Sequence, residues 1–164
     1  ISVHVDEATA KLEGLPAITL DERFQRGEEQ IVIEEHGVKF HVPIVHGQKT
    51  GFYLDQRENR QAAAKLLAGR KVLDVCTYTG GFALAALKAG ATHATGVDGS
   101  EAAIALAKEN AALNGFDQVD FQVADCFDDL AKRVQANERF DAIILDPPKF
   151  AAGRRNIDAA LRAY

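Results

Sequence analysis

The stretch Val72-Leu73-Asp74-Val75-Cys76-Thr77-Tyr78-Thr79-Gly80-Gly81 joins an apolar segment to a turn with two glycines, and an alanine-rich segment follows it. This order is typical of a buried strand, a tight loop and a helix, the arrangement with which many α/β proteins hold a nucleotide-like ligand. The next apolar segment also ends in an acidic residue, Asp98. Together, the loop and the two acidic strand ends predict a site for a nucleotide-like cofactor.

Strand-like segments alternate with helical ones from Gln56 onward. We expect strands over residues 71–75, 95–97, 119–123 and 140–145, and helices over residues 57–67, 81–89, 101–113 and 127–137. Such alternation predicts an α/β fold with a parallel, doubly wound, Rossmann-like sheet. Ligands of these sheets bind beyond the carboxyl ends of the strands. Four aspartates fall at or just past those ends: Asp74, Asp98, Asp125 and Asp146.

The segment before this alternation has a different character. Residues 1–20 show no sustained periodicity and are predicted to be a linker, and residues 21–55 are predicted to form a β-hairpin appendage. The hairpin arms are residues 30–34 and 38–42. Alternate residues of the second arm are apolar: Val38, Phe40, Val42 and Ile44. The hairpin should therefore bury one face and leave the other in water.

The composition is that of one ordinary soluble domain, with 164 residues of which 47% are apolar and 26% are charged. The sequence contains no methionine and stops at Tyr164 in a helix-like segment, so we expect an internal piece of a longer polypeptide. The two cysteines lack metal-type spacing, and no apolar run is long enough for a signal peptide or a membrane helix. These features predict a cytoplasmic protein without a metal site or membrane attachment.

The formal net charge of −5 argues against a nucleic-acid surface formed by this chain alone, because phosphate contacts rely on Lys and Arg. Two local basic groups are candidates to line one mouth of a site. One follows a Pro-Pro turn and is the group that we expect to contact nucleic acid: Lys149, Arg154 and Arg155. The other precedes the first strand of the alternation: Lys49, Arg57 and Arg60. Scattered, solvated charge is the alternative interpretation.

The glycine turn discriminates between cofactors. A dinucleotide requires a G-x-G-x-x-G turn, so that the backbone can approach the pyrophosphate, and residues 77–81 have no third glycine at the required offset. This weakens an interpretation as an NAD- or FAD-dependent oxidoreductase. S-adenosylmethionine has no phosphate; it presents a carboxylate, an ammonium group, a ribose diol and an adenine, and it is the cofactor that we predict.

We expect each part of S-adenosylmethionine to meet a different residue. Asp74 would hold the ammonium group, and the amides of Gly80-Gly81-Phe82 at a helix N-terminus would face the carboxylate. Asp98 would accept both ribose hydroxyls, and Asp125 would accept the adenine amino group. The rest of the loop and the next helix start complete the predicted site: Cys76, Thr77, Tyr78, Thr79 and Ser100. Each of these residues, taken alone, could instead have a purely structural role; Asp125, for example, could be the N-cap of the next helix.

A rigid turn follows the last predicted strand. Asp146-Pro147-Pro148 fixes the backbone, and its prolines have no N–H to donate. The carbonyl groups of this turn are therefore available to accept a hydrogen bond from the amino group of a base. We predict that Asp146, Pro147 and Pro148 belong to the catalytic site, with a plain strand-ending turn as the alternative.

Three motifs carry a resemblance to a known family: Gln48-Lys49-Thr50-Gly51-Phe52-Tyr53-Leu54-Asp55-Gln56-Arg57, Thr77-Tyr78-Thr79-Gly80-Gly81-Phe82 and Asp146-Pro147-Pro148-Lys149-Phe150. In order and spacing they resemble the bacterial 23S ribosomal RNA large-subunit cytosine-5 methyltransferases, over nearly the whole chain. The resemblance implies a class I S-adenosylmethionine-dependent methyltransferase with a PUA-type RNA-binding domain, a connecting hairpin and a seven-stranded catalytic domain. Residues 56–164 would then be the N-terminal part of the catalytic domain, with about its first four strands.

The chemistry that this resemblance implies requires a cysteine. Carbon 5 of cytosine is a poor nucleophile, so a cysteine thiolate adds to carbon 6 and forms an enamine, which then attacks the sulfonium methyl group. Asp146 is the candidate for the acid near ring nitrogen 3. The family's nucleophile lies in a Ser-Cys-Ser turn after a later strand, which is expected beyond Tyr164. Cys76 and Cys126 are predicted to be small buried residues rather than nucleophiles.

Other functions stay open from the sequence. Related ribosomal RNA guanine methyltransferases also place Asp-Pro-Pro here and need no cysteine, but amine-methylating enzymes usually carry an aromatic residue directly after Pro-Pro. Here that position is Lys149, and the aromatic residue is Phe150. A non-catalytic S-adenosylmethionine-binding or RNA-docking module is a further alternative. The predicted partner is large-subunit ribosomal RNA, and the oligomeric state is left open.

Overall fold

The computed structural model describes residues 30–43 and 51–147. Several predictions concern residues outside this range: the linker over 1–20, the burial of Ile44, and the roles of Lys49, Pro148, Lys149, Arg154 and Arg155. The described residues belong to two compact units. One unit contains residues 30–33, 41–43 and 51–53, and the other contains residues 34–40 and 54–147.

The predicted hairpin is present and consists of two strands, β1 (Gln30–Glu35) and β2 (Val38–Pro43). His36 and Gly37 connect them with φ angles of 50° and 78°, the left-handed conformation that a two-residue hairpin turn requires. Alternate residues of β2 are buried, as predicted: Val38, Phe40 and Val42. The apolar alternation therefore identified the face of the hairpin that is hidden from water.

A four-stranded parallel sheet forms the centre of the larger unit. Its strands are β3 (Lys71–Val75), β4 (His93–Asp98), β5 (Val119–Val123) and β6 (Ala142–Leu145). The strand order is β5-β4-β3-β6, so the chain moves away from β3 on one side and returns to it on the other. This is the doubly wound arrangement that the alternation predicts, and the predicted fold class is confirmed.

The two inner strands supply much of the core. Val72, Leu73 and Val75 of β3 are at most 1% exposed, and Val97 of β4 is fully buried. A strand covered on both faces needs a continuous apolar run rather than alternation, and β3 has one apart from Asp74. An acidic side chain in such a run is costly to bury, which makes Asp74 a residue that needs a specific explanation.

In the described residues, four α-helices alternate with these strands: α1 (Arg57–Ala64), α2 (Gly81–Lys88), α3 (Glu101–Asn114) and α4 (Cys126–Gln135). The predicted ends of α3 are confirmed. The Ser100 hydroxyl accepts a hydrogen bond of 3.2 Å from the Ala103 amide, and Gly115 ends the helix with a left-handed φ of 68°.

Helix α1 is shorter than predicted. It ends at Ala64 rather than Leu67. The amides of Leu66 and Leu67 bond to the carbonyls of Ala63 and Ala64, three residues earlier, which is the tighter 3-10 pattern. The chain therefore leaves the α-helix through a tightened turn before it enters β3.

Strand β6 is also shorter than predicted and begins at Ala142 rather than Phe140. The Phe140 ring instead lies beside two cations, with its centroid 4.4 Å from Lys71 Nζ and 5.5 Å from Arg133 Cζ. This aromatic residue serves as a cation–π partner at the start of the sheet rather than as a sheet residue.

None of the helices in residues 30–43 and 51–147 is both long enough and apolar enough to span a bilayer. Within the same ranges, no group of three or more His, Cys, Asp or Glu side chains is arranged to hold a metal ion.

Candidate cofactor-binding site

The predicted loop and strand-end residues lie along one edge of the sheet. In the register of β3 with its neighbours, Val75 pairs with Val97 of β4 and with Leu145 of β6. The residues that follow these three therefore meet at the carboxyl edge: Cys76, Asp98 and Asp146. The strand order reverses between β3 and β6, and doubly wound sheets bind ligands at this position.

The loop between β3 and α2 has an uncommon backbone. Cys76, Tyr78 and Gly80 have φ angles of 62°, 50° and 84°, so alternate residues are left-handed. This conformation is easy for glycine but costs a residue with a Cβ atom about 1–2 kcal/mol. The Thr77 amide bonds to the Val97 carbonyl and the Gly80 amide to the Thr77 carbonyl, each at 2.9 Å. Strain that the surrounding structure holds in place is common at functional sites.

Two backbone amides fix the carboxylate of Asp98, which is half-buried at the end of β4. The Tyr78 amide donates to Oδ2 and the Ser100 amide donates to Oδ1, each at 2.9 Å. Hydrogen bonds to an ionised acceptor are stronger than neutral ones. A carboxylate offers about four lone-pair sites, so each oxygen of Asp98 can also accept a hydrogen bond from a ligand.

Asp74 lies beneath the loop and is 1% exposed. Its Oδ2 accepts hydrogen bonds from the Thr77 hydroxyl at 2.5 Å and from the Ala83 amide at 3.0 Å. Burial raises the pKa of Asp74 from 3.8 to about 7, and the negative charges of Asp146 and Asp98 add to this effect against the two hydrogen bonds. Asp74 therefore joins the loop to the start of α2. Its burial leaves almost no surface for the predicted contact with an ammonium group.

Helix α2 begins directly after the loop, at Gly81, and Phe82 follows; both are half-buried. A Cβ atom on Gly80 would lie 2.8 Å from Cζ of Phe121, and one on Gly81 would lie 3.1 Å from Cδ of Arg60. Gly80 is therefore required by close packing and by its left-handed φ, whereas at Gly81 a side chain would fit only if Arg60 shifted by a few tenths of an ångström.

The remaining strand end carries a helix cap. Oδ1 of Asp125 accepts hydrogen bonds from the amides of Phe127 at 2.9 Å and Asp128 at 3.1 Å, at the start of α4. Asp125 is exposed beyond β5. The plainer interpretation as an N-cap is therefore realised, and the predicted contact with adenine stays a prediction.

Sequence reasoning missed the support that Asn110 gives to this loop. Asn110 is fully buried on α3, and its Nδ2 donates a hydrogen bond of 3.1 Å to the carbonyl of Thr79. Thr79 itself is 2% exposed. The signal available in the sequence is one polar residue on the alanine face of α3, between Ala107 and Ala111.

The two cysteines lie side by side. Their Sγ atoms are 3.4 Å apart, and both side chains are half-buried. Burial, followed by the contact with Cys126, raises the pKa of Cys76 to about 12. At neutral pH the Cys76 thiol is therefore protonated, the less reactive form of a cysteine.

The prediction that Arg60 lines the mouth of the site is wrong, because Arg60 is buried. Arg60 is 4% exposed, and it donates hydrogen bonds of 2.7 and 2.8 Å to the two carboxylate oxygens of Glu35. A guanidinium group that is buried and paired in this way does not present its charge at the surface. Arg57, one turn earlier in α1, is exposed.

The last described residues are Asp146, which is exposed, and Pro147, which is half-buried. Burial is the main cause of the raised pKa of Asp74, and the charge of Asp146 adds to it, so Asp146 lies near enough to act on Asp74 at this edge of the sheet. This agrees with the register of β3 and β6. The catalytic role of Asp146 and Pro147 stays a prediction.

Known proteins are similar to this chain in sequence. A family model described as S-adenosylmethionine-dependent methyltransferase matches residues 22–162. The ribosomal RNA large subunit methyltransferase I of Aeromonas salmonicida is 45% identical, and that of Aliivibrio fischeri is 44% identical, each over 161 residues. Both alignments cover 97% of this chain and 41% of the relative. The chain thus spans less than half the length of these curated relatives.

Solved structures share the fold. The crystal structure of SMU.776, assigned as a methyltransferase and complexed with SAH, has a TM-score of 0.72 and 34% identity over 79% of this chain and 35% of that chain. The tRNA (uracil-54, C5)-methyltransferase of Pyrococcus abyssi, in complex with S-adenosyl-L-homocysteine, has a TM-score of 0.61 and 25% identity over 83% of this chain and 32% of that chain. The predicted cofactor is confirmed at the level of the family. With its doubly wound sheet and the matched residues 22–162, the chain belongs to the S-adenosylmethionine-dependent methyltransferase family.

Proposed function

We propose that this chain is the cofactor-binding part of an enzyme that methylates large-subunit ribosomal RNA and forms 5-methylcytosine in 23S ribosomal RNA. Two curated relatives carry the name ribosomal RNA large subunit methyltransferase I, which supports the substrate class. A structural neighbour is named as a methyltransferase of carbon 5 of a pyrimidine in tRNA, which supports the target atom. A PUA-type RNA-binding domain and a cytoplasmic location belong to the same proposal.

The observation that carries the proposal is the carboxylate of Asp98. It stands at the end of β4 with each oxygen fixed by one backbone amide, and each oxygen can accept one more hydrogen bond. Two acceptors at fixed positions on one group match the two neighbouring hydroxyls of a ribose. These two acceptor oxygens therefore fit the ribose diol in the nucleoside part of S-adenosylmethionine.

Other residues of the edge would complete the cofactor contacts. The amides of Gly80-Gly81-Phe82 at the start of α2 would bind the methionyl carboxylate, because a helix N-terminus favours negative charge. Asp125 would accept the adenine amino group while it caps α4. Asp74 would act by holding the loop, with the ammonium group nearby. Cys76, Tyr78 and Ser100 are half-buried and would add to the contact surface. Thr77 and Thr79 are 5% and 2% exposed and would act by holding the loop.

Asp146, Pro147 and Pro148 would form the base side of the site. S-adenosylmethionine supplies an activated methyl group when it is bound. Asp146 would supply the acid near ring nitrogen 3 of cytosine, and the prolines would hold its backbone. The resemblance to the cytosine-5 methyltransferases implies a nucleophilic cysteine in a Ser-Cys-Ser turn beyond Tyr164, and the raised pKa of Cys76 argues against Cys76 in this role. Lys149, Arg154 and Arg155 would contact RNA phosphates.

The experiment that tests this function incubates unmodified large-subunit ribosomal RNA with the full-length protein and S-adenosylmethionine that carries a labelled methyl group. Analysis of the nucleosides should find the label in 5-methylcytidine. Label in a methylguanosine would contradict the target base, and cofactor binding without any label would favour a non-catalytic binding or docking module.

A matched pair of variants sharpens this test. Asp146→Asn should abolish the label, whereas Asp141→Asn at the opposite end of β6 should retain it. Asp141 accepts a hydrogen bond from the amide of Lys71 at 2.7 Å, far from the carboxyl edge of the sheet. Equal loss of label in both variants would indicate damage to β6 rather than a role for Asp146 in the reaction.

A further inference from the structure

Glu35 and Arg60 form a buried ion pair between the hairpin and helix α1. Arg60 Nε lies 2.7 Å from Oε1 of Glu35, and Arg60 Nη2 lies 2.8 Å from Oε2. The side chains are 4% and 8% exposed. A paired, bidentate arrangement fixes the guanidinium plane in one orientation, which a single contact does not do. The hairpin therefore determines where the Arg60 side chain lies.

Arg60 in turn lies against the first residue of α2. A Cβ atom on Gly81 would be 3.1 Å from Cδ of Arg60 and 3.7 Å from both Nε and Nη1. On the neighbouring residue, a Cβ atom on Gly80 would be 2.8 Å from the ring of Phe121. The start of α2 is therefore enclosed by Arg60 at Gly81 and by Phe121 at Gly80.

We propose that Glu35 and Arg60 are positioning residues for the cofactor loop: Glu35 holds Arg60, and the stem of Arg60 holds the N-terminus of α2 where the cofactor carboxylate binds. This inference rests on the proposed function of that helix N-terminus. It assigns the hairpin a part in cofactor affinity, although neither Glu35 nor Arg60 needs to touch the cofactor.

A cavity borders the pair and offers space into which the guanidinium group can shift when the charged, bidentate pair is lost. Both residues line a cavity of about 200 Å³ below the tip of the hairpin. Apolar residues that line the same cavity include Phe40 of the hairpin, Ala64 of α1 and Ala85 of α2. A shift of the guanidinium group into this space would remove the contact at Gly81.

The test measures binding of S-adenosylhomocysteine to the full-length protein by calorimetry, at a temperature where every variant is folded. Glu35→Gln should weaken binding by about five- to tenfold, because it removes the charge that holds Arg60. The control is Asp129→Asn, which removes the same charge from an ion pair within α4. There Arg133 Nε lies 2.5 Å from Asp129 Oδ2, and Arg133 also bonds to Glu138 and Gln122. Equal affinities of the two variants would overturn the inference.

A double-mutant cycle measures the coupling between Glu35 and Gly81 in cofactor binding. General destabilisation by either substitution would not produce this coupling. Gly81→Ala should weaken binding in the wild-type background, because the added Cβ meets Arg60 at 3.1 Å. In the Glu35→Gln background the same change should cost less, because Arg60 has lost the charged, bidentate pair that fixes it against Gly81. Strict additivity of the two effects would reject the proposed route through Arg60.

The failure of this inference can be told apart from failure of the proposed function. A wild-type protein that binds no S-adenosylhomocysteine would reject the cofactor site itself and the inference with it. A wild type that binds, with Glu35→Gln binding as tightly, would reject the positioning role alone.

Discussion

The backbone amide of Tyr78 donates a hydrogen bond of 2.9 Å to Oδ2 of Asp98, and so joins the left-handed loop after β3 to the end of β4. The conformation of the loop and the position of the carboxylate therefore depend on each other. Because Tyr78 has a φ of 50°, part of the energy that holds this residue in a strained state comes from the bond to Asp98.

Asp98→Ala should weaken binding of S-adenosylmethionine by about 1.5–3 kcal/mol, which is about 10- to 150-fold, because hydrogen bonds from hydroxyls to a charged acceptor are lost. Calorimetric titration of the full-length protein measures the change. Asp120→Ala, at a residue of β5 whose side chain is 68% exposed, is the control and should bind normally. An unchanged affinity for Asp98→Ala would show that the ribose binds elsewhere.

Asp74→Asn should flatten the pH dependence of stability. Burial raises the pKa of Asp74 from 3.8 to about 7, so between these values the folded state holds a proton that the unfolded state has released. The stability that this proton contributes is therefore lost as pH rises through about 7. Asparagine does not ionise and removes this dependence. Urea unfolding of both proteins across this pH range is the measurement, and parallel curves would refute the shifted pKa.

Gly96→Ala should destabilise the fold by about 1–3 kcal/mol, because overpacking forces neighbouring groups to shift. A Cβ atom on Gly96 would lie 2.5 Å from two atoms of the Phe121 ring. Gly99→Ala is the matched control, since the nearest atom to its Cβ is 3.9 Å away. Denaturant unfolding should show the loss for Gly96→Ala alone, and Phe121→Leu in that background should recover part of it. Similar losses at both glycines would contradict the packing argument.

Cys76 should react slowly with iodoacetamide in the folded protein. Its pKa is raised to about 12, mainly by burial, so very little thiolate is present near neutral pH. A rise in pKa from 9.0 to about 12 lowers the thiolate fraction roughly 1000-fold, so alkylation should be slower by about that factor than in urea, where the thiol returns to its ordinary pKa. Mass spectrometry of the peptide that contains Cys76 gives both rates. Rapid labelling in the folded state would instead identify an activated cysteine beside the cofactor.

Local patterns predicted the elements well, because they depend on neighbours in the chain. The apolar run before the glycine turn became β3, and Ser100 and Gly115 mark the two ends of α3. Element ends were less well predicted, as α1 and β6 show. The end of α1 depends on the tightened turn through Leu67, and the start of β6 depends on the contacts of Phe140 with cations elsewhere in the chain.

The candidate site divides in the same way. The position of Asp98 at a strand end could be read from the sequence, since parallel strands bring their carboxyl ends to one edge. The burial of Asp74 under its own loop could not, because it depends on how Thr77 and Ala83 close over it. The support of Thr79 by Asn110 depends on contact between two elements far apart in the chain.

By itself, the sequence determined the order of strands and helices, the glycine turn after β3 and the acidic residue at the end of β4, because periodicity and turn formation are set over a few residues. Only the tertiary structure decided which charged groups are buried. Arg60 reads as a surface cation in the sequence, yet it is 4% exposed because Glu35, brought to it by the hairpin, compensates its charge in the interior. Burial of a charge depends on a partner, and folding decides which residue that partner is.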